Sequence, residues 1–173
     1  MNKTVVIIGG STGIGKALVE KAAKEGCHVV CFSRSLDLMD RSFSSYSNVH
    51  SYHLDLESVN KHEFVSALKN HVSIDILINN AGYLVNKPFH ELTKNDLNKS
   101  YQINSAGIME VTQYTLPYLN KASSHIVNIS SMGGFQGSAK FAGLTAYSSS
   151  KAAICAFTEV FAEEYKNSSI KMN

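Results

Sequence analysis

Thr4-Val5-Val6-Ile7-Ile8-Gly9-Gly10-Ser11-Thr12-Gly13-Ile14-Gly15-Lys16 runs an apolar, β-branched segment into a glycine-rich turn. The apolar residues follow one another without polar alternation, which is the pattern of a strand buried on both faces. The stretch from Lys16 to Glu25 reads as a helix. Glycines let the backbone approach a phosphate without Cβ atoms, and the free N–H groups and dipole at a helix N-terminus favour negative charge. Strand, glycine turn and helix in this order therefore predict a nucleotide-binding crevice.

The same residues also fit another phosphate-binding pattern. Gly10 to Lys16 matches G-x-x-x-x-G-K, but the next residue would have to be Ser or Thr to ligate magnesium, and Ala17 has no side-chain oxygen. Asp75 precedes its strand rather than following it, so no acidic partner for a metal is placed where a triphosphatase needs one.

Outward from the turn, strand and helix patterns alternate. Strands are expected at Thr4–Ile8, His28–Phe32, Val49–Leu54, Ile74–Ile78 and His125–Ile129. Helices are expected at Gly13–Lys24, Ser58–Asn70, Lys94–Leu119 and Tyr147–Lys166. Such alternation implies parallel strands joined by right-handed crossovers, an α/β doubly wound sheet in a single domain over 1–173. The polar stretch Ser35–Asn48 carries five serines and is expected to replace or shorten a crossover helix. Ser169-Ile170-Lys171-Met172-Asn173 reads as the opening of a further strand, so the chain is expected to lack the last strands, as a fragment or through a disordered end.

Composition narrows the class. The chain has 173 residues, 44% of them hydrophobic, enough for one real core. A net charge of +2 and the absence of basic clusters give no reason to expect nucleic acid. Cys27, Cys31 and Cys155 form no C-x-x-C pair and sit in apolar runs, so buried, reduced thiols in a cytoplasmic protein are expected. No signal peptide or membrane span is expected, because the N-terminal apolar run is short and leads straight into the turn. The Asn-x-Ser/Thr sequons at Asn2, Asn98, Asn128 and Asn167 are then chance matches. The seven histidines show no metal-binding spacing, and no metal is expected. No G-x-S-x-G elbow supports a serine hydrolase.

Tyr147-Ser148-Ser149-Ser150-Lys151 places a phenol and an ammonium four residues apart, on one face of a helix. A free phenol titrates near pH ~10, and a cation beside it favours the ionised form, which draws the group toward the range where proton donors work best. Any exposed Tyr/Lys pair makes the same pattern, so its weight rests on what precedes it.

Gly9, Gly13 and Gly15, Asn79-Asn80-Ala81-Gly82, Asn104, Asn128-Ile129-Ser130-Ser131 and Tyr147-x-x-x-Lys151 occur in this order from Val5 to Asn173. Together they resemble the short-chain dehydrogenase/reductase family. Two departures stand out: Ile8 replaces the usual Thr that braces the turn, and the interval from Ser131 to Tyr147 is long. The resemblance implies a Rossmann-like fold and a hydride transfer in which Tyr147 gives or takes the proton. It further implies that Lys151 lowers the Tyr147 pKa and binds the nicotinamide ribose, that Ser131 orients the substrate oxygen and that Asn104 relays protons to Lys151 through water. Only the family register selects Ser131 over Ser130, and Asn104 read alone is a satisfied buried amide.

For the cofactor, the resemblance points to Gly9, Ser11, Thr12, Gly13, Ile14 and Gly15 at the turn, Asp55-Leu56 at the adenine, Asn80-Ala81-Gly82 against the dinucleotide, and Tyr147 and Lys151. Asp55 equally suits a helix cap near Ser58, and Asn79–Gly82 a simple turn. At the second strand end Ser33 takes the place of the acidic residue of NAD-selective relatives and Arg34 follows it, which favours NADP over NAD; the plain alternative is a solvated arginine. The expected activity is reduction of a carbonyl or oxidation of a secondary alcohol. The competing reading is a cofactor-binding module or sensor without turnover. Broad apolar surfaces on Ile103–Leu119 and Tyr147–Lys166, the helices through which family members commonly pair, lead to the expectation of a homodimer or homotetramer.

Overall fold

The computed structural model describes residues 3–71 and 73–173, so the sequon at Asn2 lies outside the described residues. Six strands are present: β1 (Thr4–Ile8), β2 (His28–Ser33), β3 (Val49–His53), β4 (Ile76–Asn79), β5 (Ser124–Asn128) and β6 (Ile170–Met172). They form one parallel sheet in the order β3-β2-β1-β4-β5-β6. β1 pairs with β2 on one side and β4 on the other, so the winding direction reverses at its end and opens a crevice there. This is the expected doubly wound sheet, and the C-terminal residues do form a strand.

β1 shows why its apolar residues are consecutive. Val6 and Ile8 pack with Val30, Phe32 and Leu77 in one core, and Val5 and Ile7 pack with Val29 and Cys31 in the other. The helices α1 (Gly13–Lys24) and α2 (Leu36–Phe43) supply Val19, Ala23, Met39 and Phe43 to the second core. The first is covered by α3 (Lys61–Lys69), α5 (Gly107–Thr115) and α6 (Thr145–Glu164), with α4 (Lys94–Tyr101) leading into α5.

The Ser35–Asn48 crossover is shortened rather than replaced. Leu36, Met39 and Phe43 recur at helical spacing, and burial of Met39 and Phe43 fixes α2 despite the serines. α3 starts later than Ser58 because Asn60 caps it, accepting from His62 N and Glu63 N at 3.1 and 3.3 Å. The expected helix 94–119 is interrupted by a π-helical turn at Gln102–Ala106 and closes in a 3₁₀ turn at Leu116–Tyr118. Asp75 ties the bottom of the sheet, accepting from Thr4 N at 2.8 Å and Asn120 Nδ2 at 2.7 Å. Of the cysteines only Cys31 is fully buried, its thiol pushed up to about 11 by desolvation; Cys27 and Cys155 are half-buried, which corrects the reading of all three as buried.

At the end of the sheet remote from the crevice, three histidines cluster. His28 Nε2 lies 2.6 Å from His71 Nδ1, His71 Nε2 lies 3.1 Å from the Tyr52 hydroxyl, and the His50 ring lies 4.6 Å from that of His28. Burial, followed by repulsion from its neighbours, lowers His71 to about 4 and also lowers His28. A histidine whose folded pKa is depressed contributes its full stability above the unfolded value near ~6.5 and loses it as pH falls toward the folded value. Denaturant midpoints are therefore expected to fall as the pH drops from about 6.5 toward 4. A His71→Gln variant should flatten that slope; an unchanged slope would contradict the assignment.

Candidate active site

The glycine turn is folded back against the exit of β4. Gly9 has φ +92°, and a Cβ there would lie 2.7 Å from the Ala81 backbone. A Cβ on Gly15 would overlap the Gly9 carbonyl oxygen. Asn80 Nδ2 donates to that same oxygen at 2.9 Å, while Gly9 N donates to Phe32 O at 2.7 Å. These bonds brace the turn without the hydroxyl that Ile8 lacks. Lys16, the lysine of the rejected triphosphatase pattern, sits 3.9 Å from Glu20 one helical turn on.

A cavity of about 260 Å³ lies at the carboxyl ends of the strands, where ligands bind in open α/β sheets. Its wall brings together Gly9, Ser11, Thr12, Ser33, Arg34, Asp55, Leu56, Asn80, Ala81 and Gly82, with Ile8, Phe32, Leu54 and Ile103 as apolar lining. Gly13 and Gly15 shape the turn and do not line the cavity. Ser33 Oγ donates to Ser11 Oγ at 2.9 Å, joining the second strand end to the glycine turn. Asp55 does not cap a helix: Asn60 does, and Asp55 Oδ1 accepts from Glu57 N at 2.9 Å in a tight turn. Arg34 also borders a neighbouring cavity with Ser35 and Arg41. Sequence reading missed Arg41, although it lies between Met39 and Phe43, the last helical-spaced apolar pair of α2.

A second cavity, of about 240 Å³, is lined by Ile14, Asn80, Gly82, Leu84, Ile129, Ser130, Tyr147 and Lys151. It shares Asn80 and Gly82 with the first, so the two form adjoining parts of one groove. Tyr147 is the third residue of α6, and Lys151 follows one turn later, 3% exposed. Lys151 Nζ donates to Ile129 O at 2.8 Å. Burial pulls the Lys151 pKa below the usual lysine range.

Asn104 is fully buried within the π-helical turn. Its Oδ1 accepts from Tyr83 N at 2.7 Å, and its Nδ2 donates to Tyr83 O at 2.8 Å and Ser150 Oγ at 2.9 Å. Both amide protons are thus committed within the protein. The remaining access is through Oδ1: a Cβ on Gly82 would lie 3.5 Å from it and 3.4 Å from Lys151 Nζ, so both atoms border one small space. Ser105 Oγ donates to Ser150 O at 2.8 Å, so the π turn is pinned to the helix bearing Tyr147 and Lys151.

Ser131 follows β5 and accepts at Oγ from Gly133 N at 3.3 Å, opening the short turn Met132–Gly134. The structure places Ser130, rather than Ser131, among the residues lining the Tyr147 cavity. Sequence reading missed Ser150, Tyr83 and Leu84. The serines between Tyr147 and Lys151 were the available signal for Ser150; nothing local marked the other two. Among the described residues no three His, Cys, Asp or Glu side chains are arranged to hold a metal, and no helix is long and apolar enough to cross a membrane.

Residues 3–173 match the family model described as short chain dehydrogenase. A 3-amino-tetrahydro-pyrrolizinone reductase of Xenorhabdus hominickii is 33% identical over 175 residues, which cover 99% of this chain and 59% of the reductase. A short chain dehydrogenase/reductase from Burkholderia phymatum, solved in complex with NAD, shares the fold with a TM-score of 0.89 at 23% identity, over 99% of this chain and 64% of that one. BdcA, solved in complex with NADPH, gives a TM-score of 0.86 at 26% identity, over 99% of this chain and 68% of its own. The chain thus spans less than two thirds of the length of the Xenorhabdus and Burkholderia proteins.

Proposed function

The chain belongs to the short chain dehydrogenase family, and from that premise we propose that it moves hydride between NADP(H) and a carbonyl or secondary-alcohol substrate. The observation that carries this reading is the groove shared through Asn80 and Gly82, because a dinucleotide filling the first cavity reaches Tyr147 and Lys151 in the second. The turn suits a pyrophosphate: Gly9 and Gly15 let it pack against Ala81 and on itself, and Gly13, with φ +55° and no atom within 4 Å of where its Cβ would stand, leaves the backbone bare toward open space.

When bound, the reduced dinucleotide supplies the hydride. In this reading the Tyr147 hydroxyl gives its proton to the substrate oxygen as the carbonyl carbon is reduced, and takes it back in the oxidative direction. Lys151, held by the Ile129 carbonyl, presents its ammonium to the phenol and to the nicotinamide ribose. The family register, rather than the cavity lining, assigns Ser131 to the substrate oxygen. Asn104 Oδ1, facing the same space as Lys151 Nζ, serves the proton relay.

NADP rather than NAD is supported by three side chains. Ser33 offers no carboxylate to the ribose and is bonded to Ser11. Arg34 lines the dinucleotide cavity, and Arg41 joins it in the adjacent one. A guanidinium pairs strongly with a phosphate dianion. Arg34→Asp is expected to weaken NADPH binding by at least about tenfold, with a much smaller effect on NADH. Fluorescence titration of both cofactors reads this directly, and equal losses would leave Arg34 a surface residue.

A cytoplasmic homo-oligomer completes the proposal. α5 and α6 border a groove with Met109, Leu116, Phe157 and Phe161, and Val160 beside it is 57% exposed. An isologous contact through these helices is the expected arrangement. Light scattering on the whole natural protein that contains this chain is expected to return a dimer or tetramer mass, and a monomer of that protein at micromolar concentration would contradict it.

A further inference from the structure

Three successive residues at the exit of β5 each grip α6. Asn128 Nδ2 donates to Thr158 Oγ1 at 2.9 Å, Ile129 O accepts from Lys151 Nζ at 2.8 Å, and Ser130 Oγ donates to Lys151 O at 2.9 Å. Ser130 Oγ also lies 3.2 Å from Cys155 Sγ, one turn further along the helix. Lys151 is therefore held at both ends by neighbouring residues: its main-chain carbonyl by Ser130, its ammonium by Ile129. The Ile129 carbonyl belongs to the peptide that joins it to Ser130. Anchoring the Ser130 hydroxyl on the helix thus restrains the plane of that peptide and the direction in which its oxygen points.

We propose that Ser130 is a positioning residue for the hydride-transfer site: its hydroxyl bond to the Lys151 main chain aims the Ile129 carbonyl at the Lys151 ammonium and so keeps the charge beside Tyr147. This rests on the function proposed above. It assigns Ser130 a role different from that of Ser131, which it precedes, and explains why Ser130 lines the cavity without needing to touch substrate.

The surroundings of Lys151 make that aim matter. Among the described residues, Ile129 O is the only acceptor within hydrogen-bonding distance of Nζ. Tyr147 and Cys155 are the titratable groups near it on its own helix. From the other elements come neutral groups alone: Ile129 O and Ser130 at the exit of β5, Asn104 Oδ1 in the π turn, and the Gly82 backbone. No carboxylate offsets the cost of burying the ammonium. Loss of aim at the one carbonyl therefore falls on the charged form. The Ser130 hydroxyl is an additional donor to Lys151 O, a carbonyl inside the helix with its own ladder partner, so deleting the hydroxyl leaves no orphaned helix acceptor. The fold should survive the change.

The experiment compares wild type, Ser130→Ala and Ser130→Thr, with Ser130→Cys as a near-isosteric replacement should the alanine variant not fold. Lysine labelled with carbon-13 at Cε reports the Lys151 titration by NMR, with Lys151→Arg identifying the signal. In Ser130→Ala, Lys151 is expected to titrate at lower pH than in wild type. The alkaline limb of turnover should move the same way, with kcat down about five- to tenfold and the NADPH dissociation constant within about twofold. Ser130→Thr, which keeps the hydroxyl, should restore both. A Lys151 titration unchanged in Ser130→Ala or Ser130→Cys, or a loss confined to KM, overturns the proposal. Should the wild-type protein prove not to turn over carbonyl compounds, the oxidoreductase reading fails by itself, and the Lys151 titration still decides the role of Ser130.

Discussion

Replacing Tyr147 with Phe is expected to lower turnover by at least about two orders of magnitude while leaving dinucleotide affinity within a few-fold. The two outcomes separate because the substitution removes one hydroxyl from the wall of the second cavity, and Tyr147 does not line the first. A positioned proton donor contributes roughly 10²–10⁴-fold to such reactions. No hydrogen bond within the protein depends on the Tyr147 hydroxyl among the described residues, whereas the Tyr147 main-chain carbonyl, which accepts from Ser150 Oγ at 2.9 Å, is retained. α6 should therefore keep its geometry. Steady-state rates beside a cofactor titration check both halves. Turnover close to wild type would remove Tyr147 as the acid, and a parallel collapse of cofactor binding would mean that the side chain is structural.

Gly15→Ala is expected to be the most damaging single substitution in the turn. The added methyl carbon would overlap the Gly9 carbonyl oxygen and sit 2.5 Å from Asn80 Nδ2. Neither obstacle is the free end of a flexible chain: the carbonyl is backbone, and the Asn80 amide is bonded to it. Relief requires α1 to move away from β1, which breaks the Asn80 brace and opens the dinucleotide cavity. Overpacking against backbone costs at least about 3 kcal/mol, at the upper end of what such insertions cost in cores. A drop in denaturation midpoint together with loss of NADPH binding is expected. A stable variant that binds normally would show that the close approach of turn and strand is not required.

Much of this was legible in the sequence because its signals are local. β1, the glycine turn and α1 come from consecutive residues whose burial on both faces leaves a continuous apolar run. Tyr147 and Lys151 were paired by helical spacing alone, and the structure puts them on one cavity. Where reading fell short, the cause was tertiary. Asn104 and Ser105 are bound by Ser150 from another helix, and a helical pattern from Lys94 to Leu119 carries no mark of the π turn that accompanies those bonds. Asp55 and Asn60 are both good capping residues, and only the path of the chain after β3 decides between them. Two adjacent serines at the end of β5 differ in their partners, Ser130 being turned onto α6 and Ser131 opening the following turn. The Ser-rich crossover left two readings open for another reason: serine count weighed against three apolar residues at helical spacing.

The central claim is that Tyr147 and Lys151 serve a hydride transfer from a dinucleotide seated along β1 and β4. The most direct measurement uses NADPH carrying deuterium on the transferable position of its nicotinamide, offered with a panel of aldehydes and ketones to the whole natural protein that contains this chain. Mass spectrometry of the alcohols formed is expected to find one deuterium on the former carbonyl carbon, with one NADP⁺ formed per alcohol. Tight binding of the labelled cofactor with no labelled alcohol from any member of the panel would contradict the claim and leave a dinucleotide-binding protein without turnover.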